Sequence, residues 1–463
     1  MRMTLLEIAR AVQGELLPGS GADAVVSGVC ADSRADCADR LFIALAGERF
    51  DAHDYLEEAA KQNAAAFLIQ RADKRPAGRA AILVADTRRA LGMLAAEWRR
   101  RFAIPVFAVT GSNGKTTTRE MLASILREAY GANAVLTPER NFNNDVGLPL
   151  TLLRLSAAHS AAALEIGMNH PGEISSLARL ALPTAALITN AQRAHLEGMG
   201  CLDAIAEEKG AIYDGLTPEG IALWEASSPH ARLWREKASG RRAYTFALTD
   251  PGMPRPNADL TGEARTRGFS SEMTICFPDG ALTFVLRVPG RHNAGNALAA
   301  AAAAFAAGVK KESVVSGLER FSGVRGRLEQ HRLSRGVLLL DDTYNANPDS
   351  VRAGIDVLAA HDGEKILALG DMGEIGGNRA QYHREIGLYA KTAGIGHLYT
   401  LGEASREAAR AFGKGAEIFT EPDTLALRIL ENAPRGAAVL VKGSRFMRME
   451  RVAAFLRDPE RRN

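Results

Sequence analysis

The chain reads as an α/β protein of three domains, and three observations carry that reading. Apolar strand candidates alternate with helical stretches through AALEIG, AALITN and IALWEA, which implies a mostly parallel sheet covered by helices. The alternation starts again after Gly323–Gly326 with GVLLLDD, KILALG, HLYTL and AAVLVKG, as in a Rossmann-like unit. At 463 residues the chain has room for about three domains of about 150 residues, each able to bury a core.

Residues 1–86 mix short strands such as RLFIAL with helices such as AHDYLEEAAKQNAAA and form a small α/β module. Residues 87–324 open with the helix RRALGMLAAEWRRRF and pass through IPVFAVT into the main sheet. Within them, 250–290 read as an antiparallel extension (EMTICF, ALTFVLRV) that leads to an alanine-rich helix at 293–307. Residues 325–463 hold the second strand series, with helices starting at Pro348, Arg379 and Glu403 and a last helix after AAVLVKG.

Composition narrows the function classes. Hydrophobic residues make up 46% and charged residues 24%, as in a soluble globular protein. Lys plus Arg number 57 against 54 Asp plus Glu, a net +3, so no global field favours nucleic acid or an anionic membrane. An anionic ligand must be met by a local site. The four cysteines, Cys30, Cys37, Cys201 and Cys276, lack the close pairing of a zinc site or the density of a disulfide scaffold and fit a reducing compartment. Glu7, Arg10 and Glu15 interrupt the N-terminal apolar pattern, so it does not read as a signal peptide. The longest apolar tract, 296–308, is too short to span a bilayer. The expectation is a cytoplasmic protein with neither membrane insertion nor a nucleic-acid partner.

Chemistry enters at IPVFAVTGSNGKTTTREMLASIL, an apolar strand followed by a glycine loop and a helix. Backbone N–H groups of Gly111, Ser112, Asn113 and Gly114 would face phosphate oxygens at the positive end of the helix. Lys115 would reach the terminal phosphates, and Thr116, with Thr117 beside it, would ligate Mg²⁺. The loop is shorter than the eight-residue phosphate-loop pattern, since Val109 stands where that pattern has glycine. A tight turn with an incidental lysine is the plain alternative. Glu165 lies near the C-terminal end of an apolar strand, the end that faces such a loop, where its oxygens could hold Mg²⁺. A buried pair with arginine would explain it equally simply. On spacing alone His195 and Lys209 are an ordinary loop histidine and an ordinary helical lysine.

TGSNGKTTT also resembles the nucleotide loop of the Mur ligase family, ATP-dependent enzymes that form amide bonds in peptidoglycan precursor synthesis. LEIGMNHPGEI, ITNAQRAHLEGMG, PERNFNNDVGLPLTLL and GRHNAGNALAAAAA extend the likeness through the middle domain, and ADSRADCADRLFIALAGERFDAHDY carries it into the first. GERFDAHD, YNANP, LGDMGE and VKGSR are most similar to the branch that adds D-alanyl-D-alanine. The resemblance implies a UDP-muramoyl-binding first domain, with Ser33 and Arg34 on the UDP part and the loop 47–53 nearby. It implies a second Mg²⁺ held by His195 and by Lys209, whose EKG context suggests a carbamate formed with CO₂. Asn296, with Asn293, is implied for adenine, Asn143 and Asn144 for the nucleotide region, and Asp342 for ribose. Arg327 would swing onto the phosphates from the hinge. Tyr344, Asn345 and Asn347 would face the incoming amine, and Lys442, Ser444 and Arg445 its carboxylate.

The implied reaction phosphorylates the terminal carboxylate of UDP-N-acetylmuramoyl-tripeptide with ATP and displaces phosphate with D-alanyl-D-alanine, in a monomeric enzyme. A sister ligase adding one amino acid, a folylpolyglutamate synthase and a nucleotide-gated binding protein stay open as alternatives.

Overall fold

The computed structural model describes residues 1–47, 50–139 and 141–458, so Glu48 and Arg49 of the 47–53 loop and Arg140 of the PERNFNN motif lie outside the described residues. Strands fall into three sets, within 3–83, 106–286 and 329–442.

The first set is a five-stranded sheet in the order Glu15–Leu16, Ala80–Leu83, Ala66–Ile69, Leu41–Ile43, Val29–Cys30, with a separate pair Met3–Thr4 and Val25–Val26. Phe42 and Phe67 are buried on one face and Leu41, Ile43 and Leu68 on the other, as in a sheet covered on both sides. One sequence expectation fails here. Cys30 and Cys37, which looked unrelated, form a disulfide, because the 32–38 loop folds back and brings their Cα atoms to 5.6 Å. Cys201 and Cys276 are free.

The middle sheet has nine strands, and its centre positions the site. Val106–Thr110, Ala161–Glu165 and Ala185–Ile188 are parallel neighbours in which Glu165 stands beside Val109 and Ile188 beside Thr110. Their carboxyl ends therefore open on one edge, where ligands bind in such sheets. Leu260–Arg267 pairs in parallel with Arg242–Thr249, and the two hairpin strands after it, Ser270–Phe277 and Gly280–Leu286, are antiparallel as expected. The helix Arg291–Ala306 buries Ala294 and every residue from Asn296 to Ala304. Small alanine side chains let it lie close against the phosphate-loop helix Lys115–Tyr130 and the strand Arg242–Thr249.

The third sheet runs Glu329–Arg332, Leu338–Asp342, Ala438–Lys442, Lys365–Gly370, His397–Leu401, Ala416–Phe419, parallel except for its first pair. The sequence reading lacked the edge strand Ala416–Phe419 and the helix Pro422–Asn432, and it started one helix at Glu403 where the structure starts it at Arg406. The edge strand has no fully buried residue, so it carries no apolar run to read. Among the described residues no helix is long and apolar enough to cross a membrane.

Candidate active site

The phosphate loop is braced from the neighbouring strand. Gly111 has φ +148° and Gly114 φ +82°; a Cβ would collide with the Thr189 hydroxyl at the first and with the Asn296 amide at the second. Thr189 Oγ1 donates to Asn113 O at 2.7 Å, Asn113 N donates to Asn190 Oδ1 at 2.9 Å, and Ser112 Oγ donates to Gln192 O at 3.0 Å. Lys115 begins the helix and curls back, with Nζ donating to Gly111 O at 2.7 Å and Ser112 O at 3.3 Å. Burial lowers its pKa, with the Glu165 carboxylate opposing that shift. Gly114→Ala is expected to weaken ADP binding about tenfold or more, since a positive φ and a collision must both be accommodated. Calorimetry would read the loss, with circular dichroism checking that the fold survives.

The direct partners of Glu165 are Thr116 Oγ1 at 2.8 Å and Asn143 Nδ2 at 2.9 Å rather than an arginine. Burial pushes its pKa up, but the charges of Lys115, Arg327 and Arg119 and the Thr116 hydrogen bond outweigh that and leave it below the ordinary carboxylate value. An ionised carboxylate holding only two neutral donors has lone pairs to spare. With the Thr116 hydroxyl it forms an oxygen donor set suited to Mg²⁺.

Lys209, on the helix Leu202–Gly210, is 1% exposed, and the contact found for Nζ is Met168 Sδ at 3.9 Å. Glu208 next to it is occupied by Gly172 N and Ile174 N, both at 2.9 Å. Burial, with Lys115 adding, holds the amine well below its usual pKa. It does not line the cavity.

His195 has φ +57° and starts the helix Leu196–Met199. Its Nδ1 lies 3.0 Å from Glu374 Oε2. A carboxylate only accepts, so Nδ1 is the donor in this contact and Nε2 is the other ring nitrogen. Glu374 comes from the third domain, in the LGDMGEIG motif.

Further third-domain groups close over the loop. Arg327 Nη2 donates to Thr116 Oγ1 at 2.9 Å and its guanidinium stacks 4.2 Å from the Tyr344 ring. Asn347 Nδ2 donates to Asn113 Oδ1 at 2.8 Å while Asn347 caps the helix Pro348–Ala359. Between the domains lies a cavity of about 690 Å³ lined by Ser112–Thr117, Asn143, Glu165, His195, Asn293, Asn296, Arg327, Asp342, Tyr344, Asn345, Asn347 and Lys442, among others.

Other expected residues already have partners within the protein. Lys442 Nζ donates to Asp342 Oδ2 at 2.6 Å and to Asn345 O at 3.0 Å, so the lysine assigned to a substrate carboxylate and the aspartate assigned to ribose hold each other. Asn144 Oδ1 accepts from Gly147 N at 2.8 Å, ahead of the helix Gly147–Leu152, and does not line the cavity. Ser444 ties Gly373 N at 2.7 Å to Ala346 O at 2.9 Å, and exposed Arg445 pairs with Glu450. Asn296 donates to Asn293 Oδ1 at 3.2 Å, and Asn293 to Pro289 O at 2.7 Å. In the first domain Ser33 donates to Glu58 at 2.9 Å and Arg34 forks onto Asp32.

A second group of metal-ligand types, Glu329, His331 and Asp341, lies outside the cavity lining. Glu329 caps Gly326 N, Asp341 accepts from Thr343, and Arg457 approaches His331, so each already has a partner.

Comparison with known proteins places this architecture. Models described as the Mur ligase middle domain, the Mur ligase glutamate ligase domain and the Mur ligase family catalytic domain match residues 109–304, 326–445 and 25–99. The chain belongs to the Mur ligase family. A UDP-N-acetylmuramoyl-tripeptide--D-alanyl-D-alanine ligase of Haemophilus influenzae is 39% identical to this Mur ligase, with 99% of each chain covered. The crystal structure of MurF from Acinetobacter baumannii superposes with a TM-score of 0.91 at 33% identity, covering 99% of both chains. MurF ligase from Thermotoga maritima in complex with ADP gives 0.81 at 26% identity, covering 93% of this chain and 97% of that one.

Sequence reasoning missed Gln192, Arg193 and Glu374 although it quoted their motifs. Gln192 Oε1 accepts from Asn113 Nδ2 at 2.7 Å. The signal was a polar run directly after a buried strand end.

Proposed function

We propose that this Mur ligase joins D-alanyl-D-alanine to UDP-N-acetylmuramoyl-tripeptide at the expense of ATP, giving the UDP-muramoyl-pentapeptide, ADP and phosphate. The observation that carries the reading is one cavity in which a braced phosphate loop and a buried Thr116–Glu165 pair face the Tyr344–Asn347 turn of another domain.

A tripeptide carboxylate oxygen attacks the γ-phosphorus in line, the bond to ADP breaks, and an acyl phosphate forms. Ser112 N and Asn113 N are engaged by Asn190, which leaves the Gly111 and Gly114 N–H groups with Lys115 to hold the phosphates, and Arg327 reaches the same point from the third domain. The dipeptide amine, oriented by the Tyr344–Asn347 turn, attacks the acyl carbon and loses its extra proton as phosphate leaves. Thr116 and Glu165 would hold one Mg²⁺, and His195 through Nε2 with carbamylated Lys209 the second. Bound Mg²⁺ neutralises charge on the transferring phosphoryl. Burial favours the uncharged amine, the form of lysine that adds CO₂, which supports the carbamate. Ser33 and Arg34 are assigned to the UDP part, Asn293 and Asn296 to adenine, and the enzyme acts as a cytoplasmic monomer.

Phosphate release from ATP, with product mass, tests the reaction across D-alanyl-D-alanine, D-alanine, L-lysine and diaminopimelate. Release and mass gain with the dipeptide alone are expected. Turnover with one amino acid would make the chain a sister ligase, and a folded, ADP-binding protein that releases no phosphate would be a binding protein.

A further inference from the structure

The loop Asn190–Leu196 has two sides. One side carries the hydrogen bonds to Ser112 and Asn113 of the phosphate loop. The other carries Arg193, a middle-domain residue whose guanidinium is held wholly by the third domain. Its Nη2 lies 2.6 Å from Asp349 Oδ1, its Nη1 2.9 Å from Glu385 Oε2, and its backbone N donates to Asp349 Oδ2 at 2.9 Å. The Tyr382 ring packs 5.3 Å from it, and Glu385 Oε1 accepts from both Arg193 Nη2 and Arg352 Nη1 at 3.0 Å.

We propose that Arg193 is a positioning residue that latches the third domain over the phosphate loop, so that making the latch raises the fraction of molecules in which the dipeptide-binding turn is presented to the acyl phosphate. Asp349 sits two residues after Asn347 and lines the cavity, so holding Asp349 holds the turn Tyr344–Asn347 against Asn113. Gln192, adjacent to Arg193, contacts the phosphate loop, which makes the loop a mechanical link between nucleotide and closure. Arginine suits the task because its planar fork serves two carboxylates at once, whereas an ammonium is a single point charge. The side chains are only partly exposed, at 24% for Arg193, 22% for Asp349 and 31% for Glu385, so salt screens the pairs without abolishing them.

The inference rests on the ligase reading for its kinetic arm. Arg193→Ala is expected to raise KM for the dipeptide about tenfold with kcat within about twofold, because apparent affinity falls with the closed fraction. Asp349→Asn, which breaks the latch from the other domain, should do the same, and the double variant should be no worse than Arg193→Ala. Small-angle scattering of the ADP-bound proteins should show a larger radius of gyration for both single variants than for the parent. Additive effects, a fall in kcat at unchanged KM, or an unchanged radius would overturn the latch. Should the parent release no phosphate with any dipeptide, the ligase reading fails, and the scattering arm still decides the latch alone.

Discussion

Replacing Lys115 by alanine is expected to lower dipeptide-dependent phosphate release by about 10²–10³ in kcat, the scale seen when one preorganised donor to a developing charge is removed. The geometry argues for an effect on the chemical step. Lys115 Nζ donates to the Gly111 and Ser112 carbonyls of its own loop, at 2.7 and 3.3 Å. It is buried, and among the described residues no carboxylate is hydrogen-bonded to it, so the nearby Glu165 charge offsets its burial only in part. As the γ-phosphoryl transfers, charge grows on its oxygens and the bond to Lys115 strengthens. Glycine N–H groups and Arg327 remain to bind ADP, so the ADP dissociation constant should change far less than kcat. Lys115→Arg should recover little, because a fork needs more room than a point charge. An equal loss in ADP affinity and in kcat/KM, with kcat unchanged, would reassign Lys115 to uniform binding.

What could be read in advance follows the range of the interactions. The strand ends that set Thr110, Glu165 and Ile188 side by side are local patterns repeated along the chain, and parallel pairing aligns them without long-range information. Glu165 was visible because a charge inside an apolar strand is anomalous. Arg193 was not, because its partners lie 156 and 192 residues away and a loop arginine is unremarkable by itself. Glu374 hid in a quoted motif for the same reason. Lys442 and Asp342, each plausible as a ligand contact, lie 100 residues apart and meet because Leu338–Asp342 pairs with Ala438–Lys442 in register. Cys30 and Cys37 needed the reversal of a seven-residue loop, which composition does not reveal.

Lys209→Ala is expected to lower turnover by about 10³, with partial recovery in small carboxylates such as formate or acetate. The starting fact is a buried amine to which, among the described residues, no carboxylate is hydrogen-bonded. Unprotonated, its nitrogen can attack the carbon of CO₂ and release a proton, which leaves a carbamate anion facing the Lys115 charge. A ¹³C signal from protein equilibrated with labelled bicarbonate, absent in Lys209→Ala, would report the adduct directly. Stability separates chemistry from folding. In the unmodified protein the folded pKa of Lys209 is depressed, so between that value and 10.5 the unfolded chain binds more protons, and stability rises with pH. Lys209→Met removes that slope. Without bicarbonate, its Tm near neutral pH should equal or exceed that of the parent, and the difference should shrink as pH approaches 10.5. An inactive Lys209→Met with raised Tm, alongside carboxylate rescue of Lys209→Ala, would show that the fold bears the cost of this lysine for its chemistry. A destabilised Lys209→Met, or full activity in either variant, would make the residue part of the packing alone.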